Sequence, residues 1–142
     1  MLDQVQLKKD IRLALDNLNL SKAPITEFNV SAVLTTKSGK KYSGVNIESS
    51  TLTPSICAER TAFFKAISEG DVEFESIVVL GGKKRTVTEY TPPCGVCRQV
   101  MMDNCDPETF LITLALDEDN YETFTLKELL PLGFGFSKLY KE

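Results

Sequence analysis

Three cysteines in two clusters constrain this chain more than any other feature. Cys57 opens the tetrad Cys-Ala-Glu-Arg at residues 57–60, and Cys94 and Cys97 form a Cys-x-x-Cys pair directly after Pro93. Three thiolates close three corners of a tetrahedral zinc site and leave the fourth corner for water, which distinguishes a catalytic site from a structural one. The fold is therefore expected to bring two distant segments of the chain to one point.

Glu59 is the acidic residue of this set, two positions after Cys57. A carboxyl group so close to a metal ligand is suited to carry protons. A cysteine or histidine, a glutamate two residues later and a distant Pro-Cys-x-x-Cys form the signature of the zinc deaminases. With the flanking residues Pro93-Cys94-Gly95-Val96-Cys97-Arg98-Gln99, the chain resembles the small, all-cysteine, homotetrameric cytidine deaminases over almost its whole length.

The resemblance implies an enzyme of pyrimidine salvage that converts cytidine or deoxycytidine to the uridine nucleoside and ammonia. Its cofactor would be Zn²⁺, bound by Cys57, Cys94 and Cys97. Glu59 is expected to be the catalytic residue, moving protons from water to ring nitrogen N3 and to the leaving amine. The chain contains no histidine, so imidazole ligands and imidazole bases are excluded.

The charge of the thiolates calls for a compensating group. Three thiolates outweigh the two positive charges of Zn²⁺ and would weaken the ion as a Lewis acid. Arg60 is the candidate for the compensating cation, and Gln99 is expected to donate a further hydrogen bond to a sulfur. The resemblance implies the same two roles.

Two polar residues predict where a sugar would bind. Asn46 and Glu48 lie two apart on an extended segment, so their side chains leave from the same face. The resemblance implies that both bind the ribose hydroxyls. On the bare base these two residues would have no sugar to bind, and Glu48 would repel a phosphate, so the expected substrate is a free nucleoside rather than the base or the nucleotide. The remaining contacts that it implies are the ring of Phe28 against the pyrimidine, the backbone of Ala58 and Pro92 around the base, and Phe134 reaching the active site of a neighbouring subunit in a tetramer.

These motifs also fit other interpretations. A Cys-x-x-Cys pair alone also fits a redox pair or half of a zinc knuckle, but neither explains Cys57 and Glu59. Cys105 lies about 12 Å of helical rise beyond Cys97 and is expected to be a buried free thiol. The alternative functions are a deaminase of another aminopyrimidine nucleoside or nucleoside antibiotic, and a non-catalytic zinc-stabilised scaffold. The chain departs from the family pattern at Ile25-Thr26, Ser31 and residues 52–56.

Length, charge and hydropathy limit the kind of protein that this chain can be. A length of 142 residues predicts a single domain over residues 1–142, and a net charge of −4 argues against a nucleic-acid partner. Neither a membrane-spanning run nor a secretory leader is recognisable, so a cytoplasmic protein is expected.

Hydrophobic periodicity predicts an α/β protein. Helices are expected at residues 2–20, 57–69, 94–104 and from Thr125, where Thr125-x-x-Glu128 is a capping box. Strands are expected from Phe28, at 42–47, at 77–80, from Phe110 and at 121–123, with a turn at 37–40. The predicted architecture is a three-layer α-β-α sandwich with a mixed five-stranded sheet, as the resemblance also implies.

Overall fold

The computed structural model describes residues 3–140 and contains five strands and five α-helices in that range. The helices are α1 (Gln4–Asn17), α2 (Ala58–Ser68), α3 (Gly95–Asn104), α4 (Leu126–Leu129) and α5 (Phe136–Leu139). The strands are β1 (Phe28–Thr36), β2 (Lys41–Val45), β3 (Phe74–Lys83), β4 (Leu111–Asp117) and β5 (Asn120–Thr125). None of the helices described between residues 3 and 140 has the length and apolar character that crossing a bilayer requires.

The five strands form one mixed sheet in the order β2-β1-β3-β4-β5. Strands β3 and β4 are parallel and the other neighbouring pairs are antiparallel. Helix α3 makes the crossover between the parallel pair, as a parallel connection requires. The predicted mixed five-stranded sheet is confirmed.

Alternation along β1 divides the core between the two faces of the sheet. Ala32 and Leu34 pack on the side that carries α2 and α3, whereas Val33 packs on the side that carries α1. Helix α1 places Leu7, Ile11, Ala14 and Leu18 against that second face. Helices therefore cover both faces, and the predicted three-layer sandwich is confirmed.

Several predicted boundaries differ from the structure. Helix α1 ends at Asn17 and continues as a short 3-10 turn, Leu18–Leu20, while Leu2 lies outside the described residues. Strand β3 extends to Lys83, because the segment predicted as loop from Gly81 pairs with the start of β1. Helix α5 was not predicted, and the capping box at Thr125 is confirmed.

Gly44 sets how closely α2 lies on the sheet. A Cβ atom at this position of β2 would lie 2.7 Å from the amide nitrogen of Ala62, and nearer still to the carbonyl oxygen of Ala58. Such a separation is shorter than van der Waals contact, so the first turn of α2 rests directly on the backbone of β2. The residues that open α2 are thereby placed at one edge of the sheet.

Candidate active site

The three predicted thiols converge at the starts of two helices. Cys57 is the N-cap of α2 and Cys94 the N-cap of α3, with Cys97 in the first turn of α3. The Sγ atoms of Cys57 and Cys94 are 3.5 Å apart, as are those of Cys94 and Cys97, and all three lie within 4.8 Å of one another. The predicted convergence is confirmed.

Local hydrogen bonds hold each cluster in place. The segment before Cys57 is fixed by reciprocal backbone hydrogen bonds between Ile47 and Ile56, at 3.0 and 2.9 Å. The loop before Cys94 is fixed by Arg98, whose Nε donates to the carbonyl oxygen of Pro93 at 2.7 Å. Both cysteine segments are therefore anchored before a ligand binds.

This donor set fits a zinc ion. Four ligands about 2.3 Å from a tetrahedral ion lie about 3.8 Å from each other, close to the sulfur separations observed. A hydrogen bond from the Cys97 thiol and the neighbouring Arg60 lower the pKa of Cys57 to about 5, whereas the same hydrogen bond raises the pKa of Cys97. At least one thiolate is thus available at neutral pH to bind a cation.

Arg60 lies where the charge argument predicts it. Its Nη2 donates to the Sγ of Cys57 at 3.3 Å. Its Nε is buried without a hydrogen-bond partner among residues 3–140, which is costly beside neutral thiols and favourable beside anionic sulfurs. This unpartnered donor independently supports a metal-thiolate cluster at the site.

Glu59 is buried, with 3% of its surface exposed, in the first turn of α2. Burial raises the pKa of its carboxyl group to about 7, with a further contribution from the nearby Cys57 thiolate. Glu59 is therefore not the solvent-exposed carboxylate that is common in the first turn of a helix. A carboxyl group poised near neutrality is able both to accept and to donate a proton.

A cavity of 280 Å³ opens beside the thiols. Cys57, Cys94, Glu59 and Arg60 form one part of its wall. The remaining lining residues are Val30, Asn46, Glu48, Ser55, Ile56, Thr91 and Pro92. Polar groups and one buried acid thus surround a space of the size that small molecules occupy.

Asn46 and Glu48 line the cavity but are also hydrogen-bonded within the chain. Asn46 donates from Nδ2 to the carbonyl oxygen of Phe28 at 2.8 Å and accepts at Oδ1 from the amide of Val30 at 2.9 Å and from the hydroxyl of Ser21. Glu48 accepts from the turn at residues 25–26. Sequence reasoning placed both residues at the site but missed these internal contacts.

Three predicted contacts lie outside the cavity wall of this chain. Phe28 is 39% exposed at the start of β1, and Ala58 is buried in the first turn of α2. Phe134 is 57% exposed in the segment between α4 and α5. Gln99 donates to the carbonyl oxygen of Phe134 at 2.7 Å and to Asp103 at 3.1 Å, so the structure does not bring its amide to a sulfur as predicted.

Other residues at the site were missed or only partly understood. Val30 and Thr91 line the cavity without having been singled out, and Ser55 and Ile56, noted only as part of a departure from the family pattern, line it as well. Their positions beside Cys57, Phe28 and Pro92 in the sequence were the available signal. Cys105 ends α3 on the side away from Cys94 and is half-buried rather than fully buried, with its pKa raised by burial.

The sequence of this chain is similar to a known protein family and to several of its members. Residues 5–113 match the family described as the cytidine and deoxycytidylate deaminase zinc-binding region. The chain is 43% identical over 111 residues to a cytidine deaminase of Halalkalibacterium halodurans, covering 78% of this chain and 80% of that protein. It is 40% identical over 112 residues to a cytidine deaminase of Sporosarcina psychrophila, covering 79% of each.

A solved structure agrees with this relationship. The crystal structure of a cytidine deaminase from Burkholderia pseudomallei superposes with a TM-score of 0.79 at 34% sequence identity. The match covers 89% of this chain and 97% of that one.

Proposed function

The chain belongs to the family of zinc-binding cytidine and deoxycytidylate deaminases, and on that premise we propose that it is a zinc-dependent cytidine deaminase. It hydrolyses cytidine and deoxycytidine to uridine and deoxyuridine and releases ammonia. The observation that carries the proposal is the buried carboxyl of Glu59, which lines the same cavity as Cys57 and Cys94. A zinc site that served only to stabilise the fold would have no need of a buried acid there.

The three thiols of Cys57, Cys94 and Cys97 would hold the ion. Zinc, when bound, would supply a Lewis acid that lowers the pKa of a bound water to about 7. Arg60 offsets the negative charge of the sulfurs through its contact with Cys57.

Glu59 transfers the protons in the reaction. Its carboxylate form takes a proton from the attacking water, and its acid form returns protons to N3 of the pyrimidine and to the departing amine. A pKa near 7 keeps both forms populated at neutral pH, which is the condition for efficient general acid–base catalysis. One water is consumed and one ammonia released per nucleoside.

The cavity favours a nucleoside over the base or the nucleotide. Asn46 and Glu48 add polar recognition for a sugar, and Glu48 would repel a phosphate. Among residues 3–140, Arg60 is the only Lys or Arg that lines the cavity. Its guanidinium donates to the Sγ of Cys57 and is not free to bind a phosphate. Cytosine is therefore expected to bind weakly because it lacks the sugar that Asn46 and Glu48 would contact. Cytidine monophosphate is expected to bind weakly because no cation in the cavity wall is free to pair with its phosphate.

We also propose that the enzyme is a tetramer of single-domain chains in the cytoplasm, where a reducing environment keeps its four cysteines free. Support for association comes from apolar side chains exposed near the carboxyl end, among them Leu132, Phe134 and Phe136. A cluster of this kind is typical of a protein interface. Phe134 lies outside its own chain's cavity wall, which is consistent with a role in a neighbouring active site.

The experiment is an ultraviolet assay of the purified, zinc-loaded protein against cytidine, deoxycytidine, cytosine and cytidine monophosphate. Turnover is expected on both nucleosides and roughly 100-fold less on the other two compounds. Cytosine leaves the sugar-binding groups without a partner, and the phosphate of cytidine monophosphate is repelled by Glu48. The matched control is Glu59→Gln, which keeps size and polarity but cannot shuttle protons. It is expected to retain zinc and lose roughly 100- to 10,000-fold in turnover.

Either of two results would contradict the proposal. Efficient turnover of cytidine monophosphate would exclude the nucleoside assignment. Wild-type turnover by Glu59→Gln at equal zinc content would exclude Glu59 as the proton carrier.

A further inference from the structure

The hydroxyl of Thr26 joins two residues that sequence reasoning assigned to the substrate. Its Oγ1 donates to Oε2 of Glu48 and accepts the backbone N–H of Phe28 at 3.1 Å. One side chain therefore connects the carboxylate proposed to bind the sugar with the residue proposed to contact the ring. Thr26 itself does not line the cavity described above.

The contacts of Glu48 explain how its carboxylate is oriented. Oε1 accepts the backbone N–H groups of Ile25 at 2.8 Å and Thr26 at 3.1 Å, and Oε2 accepts the Thr26 hydroxyl. A carboxylate has about four lone-pair sites, so three internal donors leave about one for a ligand. The Thr26 hydroxyl determines which part of Oε2 remains free.

Polar contacts hold this turn, because little apolar packing does. Besides the hydrogen bonds of Thr26 and Glu48, Lys83 Nζ donates to the carbonyl oxygen of Thr26 at 2.8 Å, and the Lys84 amide donates to that of Glu27 at 2.7 Å. The side chains at residues 24–28 are all exposed. The backbone at Glu27 is left-handed, with φ at 59°, a conformation that is unfavourable for a residue with a Cβ. Polar contacts must offset that cost, and the Thr26 hydroxyl supplies two of them.

We propose that Thr26 is a positioning residue of the nucleoside site, whose hydroxyl aims the Glu48 carboxylate at a substrate hydroxyl and fixes the backbone at Phe28. This inference rests on the proposed function, because it assigns Glu48 to sugar binding. Thr26 acts through Glu48 and Phe28 and does not touch the reacting atoms. The donors from residues 25 and 26 also lower the pKa of Glu48, with the Thr26 hydroxyl as the largest cause.

The test compares Thr26→Val with Thr26→Ser. Valine keeps the branched shape and removes the hydroxyl, whereas serine keeps the hydroxyl and removes a methyl group. Thr26→Val is expected to raise KM for cytidine roughly tenfold with kcat within about twofold, since the Glu48 carboxylate loses a charge-assisted hydrogen bond and with it its fixed orientation. Thr26→Ser is expected to restore KM to within about threefold of wild type.

A matched control separates this effect from general loosening. Thr109 is also exposed, and it precedes β4 at the end of the sheet opposite the cavity, since Leu111 pairs with Ser76 and Val30 with Gly81. Thr109→Val is expected to leave KM unchanged. In a double-mutant cycle with Glu48→Gln, the effects on KM for cytidine are expected to be strongly non-additive. Once the Glu48 carboxylate is removed, Thr26→Val should raise KM much less than it does in the wild type.

A readout independent of turnover completes the test. Carbon-13 NMR of carboxyl-labelled glutamate reports the pKa of Glu48, with the resonance assigned by its loss in Glu48→Gln. The pKa is expected to lie below the ordinary glutamate value in wild type and Thr26→Ser, and to rise in Thr26→Val. In Thr26→Val, the loss of cytidine affinity on acidification should begin at a higher pH, because the carboxylate form is lost sooner.

The possible outcomes separate the two proposals. An unchanged Glu48 pKa in Thr26→Val overturns the positioning role even if the enzyme deaminates cytidine. Additive effects in the cycle overturn it as well, because they show that Thr26 does not act through Glu48. A raised pKa in a protein that does not deaminate cytidine would support the contact and refute the proposed function instead.

Discussion

Replacing Gly44 by alanine tests whether the packing of α2 on β2 sets the geometry of the thiols. The added Cβ would lie 2.7 Å from the amide nitrogen of Ala62, against an ordinary contact of at least 3.4 Å. The helix must therefore move by at least about 0.7 Å (3.4 − 2.7), and the tighter contact with Ala58 demands more. Because both contacts are with helix backbone, no flexible side chain can absorb the displacement.

The displacement reaches the chemistry, because Cys57 and Glu59 flank Ala58. A misplacement of about 1 Å costs on the order of 100-fold in rate, so we expect kcat/KM for cytidine to fall roughly 10- to 100-fold in Gly44→Ala. Overpacking of this kind costs about 1–3 kcal/mol of unfolding free energy. Typical domains have about 5–15 kcal/mol, so the variant is expected to remain folded.

The assay measures thermal unfolding, zinc retained during chelator competition, and kcat/KM. Gly95→Ala is the matched control, since Gly95 adjoins Cys94 but a Cβ there meets no atom within 4 Å in the described chain. It is expected to keep zinc and activity. Wild-type zinc retention and turnover in Gly44→Ala would refute the view that this contact positions the site.

Two further predictions concern the ligands and the assembly. Cys57→Ala is expected to lose zinc and activity and Cys105→Ala to keep both, as measured by elemental analysis; full zinc retention in Cys57→Ala would contradict the ligand assignment. Phe134→Ala is expected to lose roughly tenfold in kcat/KM, since burial of a Phe side chain contributes about 1.5–3 kcal/mol. Co-expression with Glu59→Gln chains should recover activity, because a mixed oligomer pairs intact Glu59 with intact Phe134. A monomeric mass by light scattering would exclude the tetramer.

The order of elements and the metal-binding residues were predictable because both are encoded locally. Alternation from Phe28 to Leu34 identifies β1, and the positions of Cys57 and Cys94 before apolar helical patterns place them at helix starts. The spacing of Cys94 and Cys97 puts both sulfurs on the first turn of α3. These inferences need only the periodicity of a single segment.

The parts that were not predictable depend on contacts between distant segments. Glu48 accepts three hydrogen bonds from the turn at residues 25–26, and no local pattern links those positions. The extension of β3 through Lys83 exists because β1 begins at Phe28 and offers it a partner. The side-chain amide of Gln99 donates a hydrogen bond to the carbonyl oxygen of Phe134, a contact that depends on how the segment after α4 folds back.

The placement of the thiols at two helix starts has a consequence for biosynthesis. Cys57 is synthesised well before Cys94, and the helices that carry them are brought together by the sheet in which β1 pairs with β3. A growing chain therefore offers isolated soft ligands to any thiophilic metal before the three-sulfur site exists. Selection of the correct ion, by the number and spacing of its ligands, becomes possible only after the sheet has formed. We therefore expect zinc to be bound after the sheet has formed and not early in synthesis.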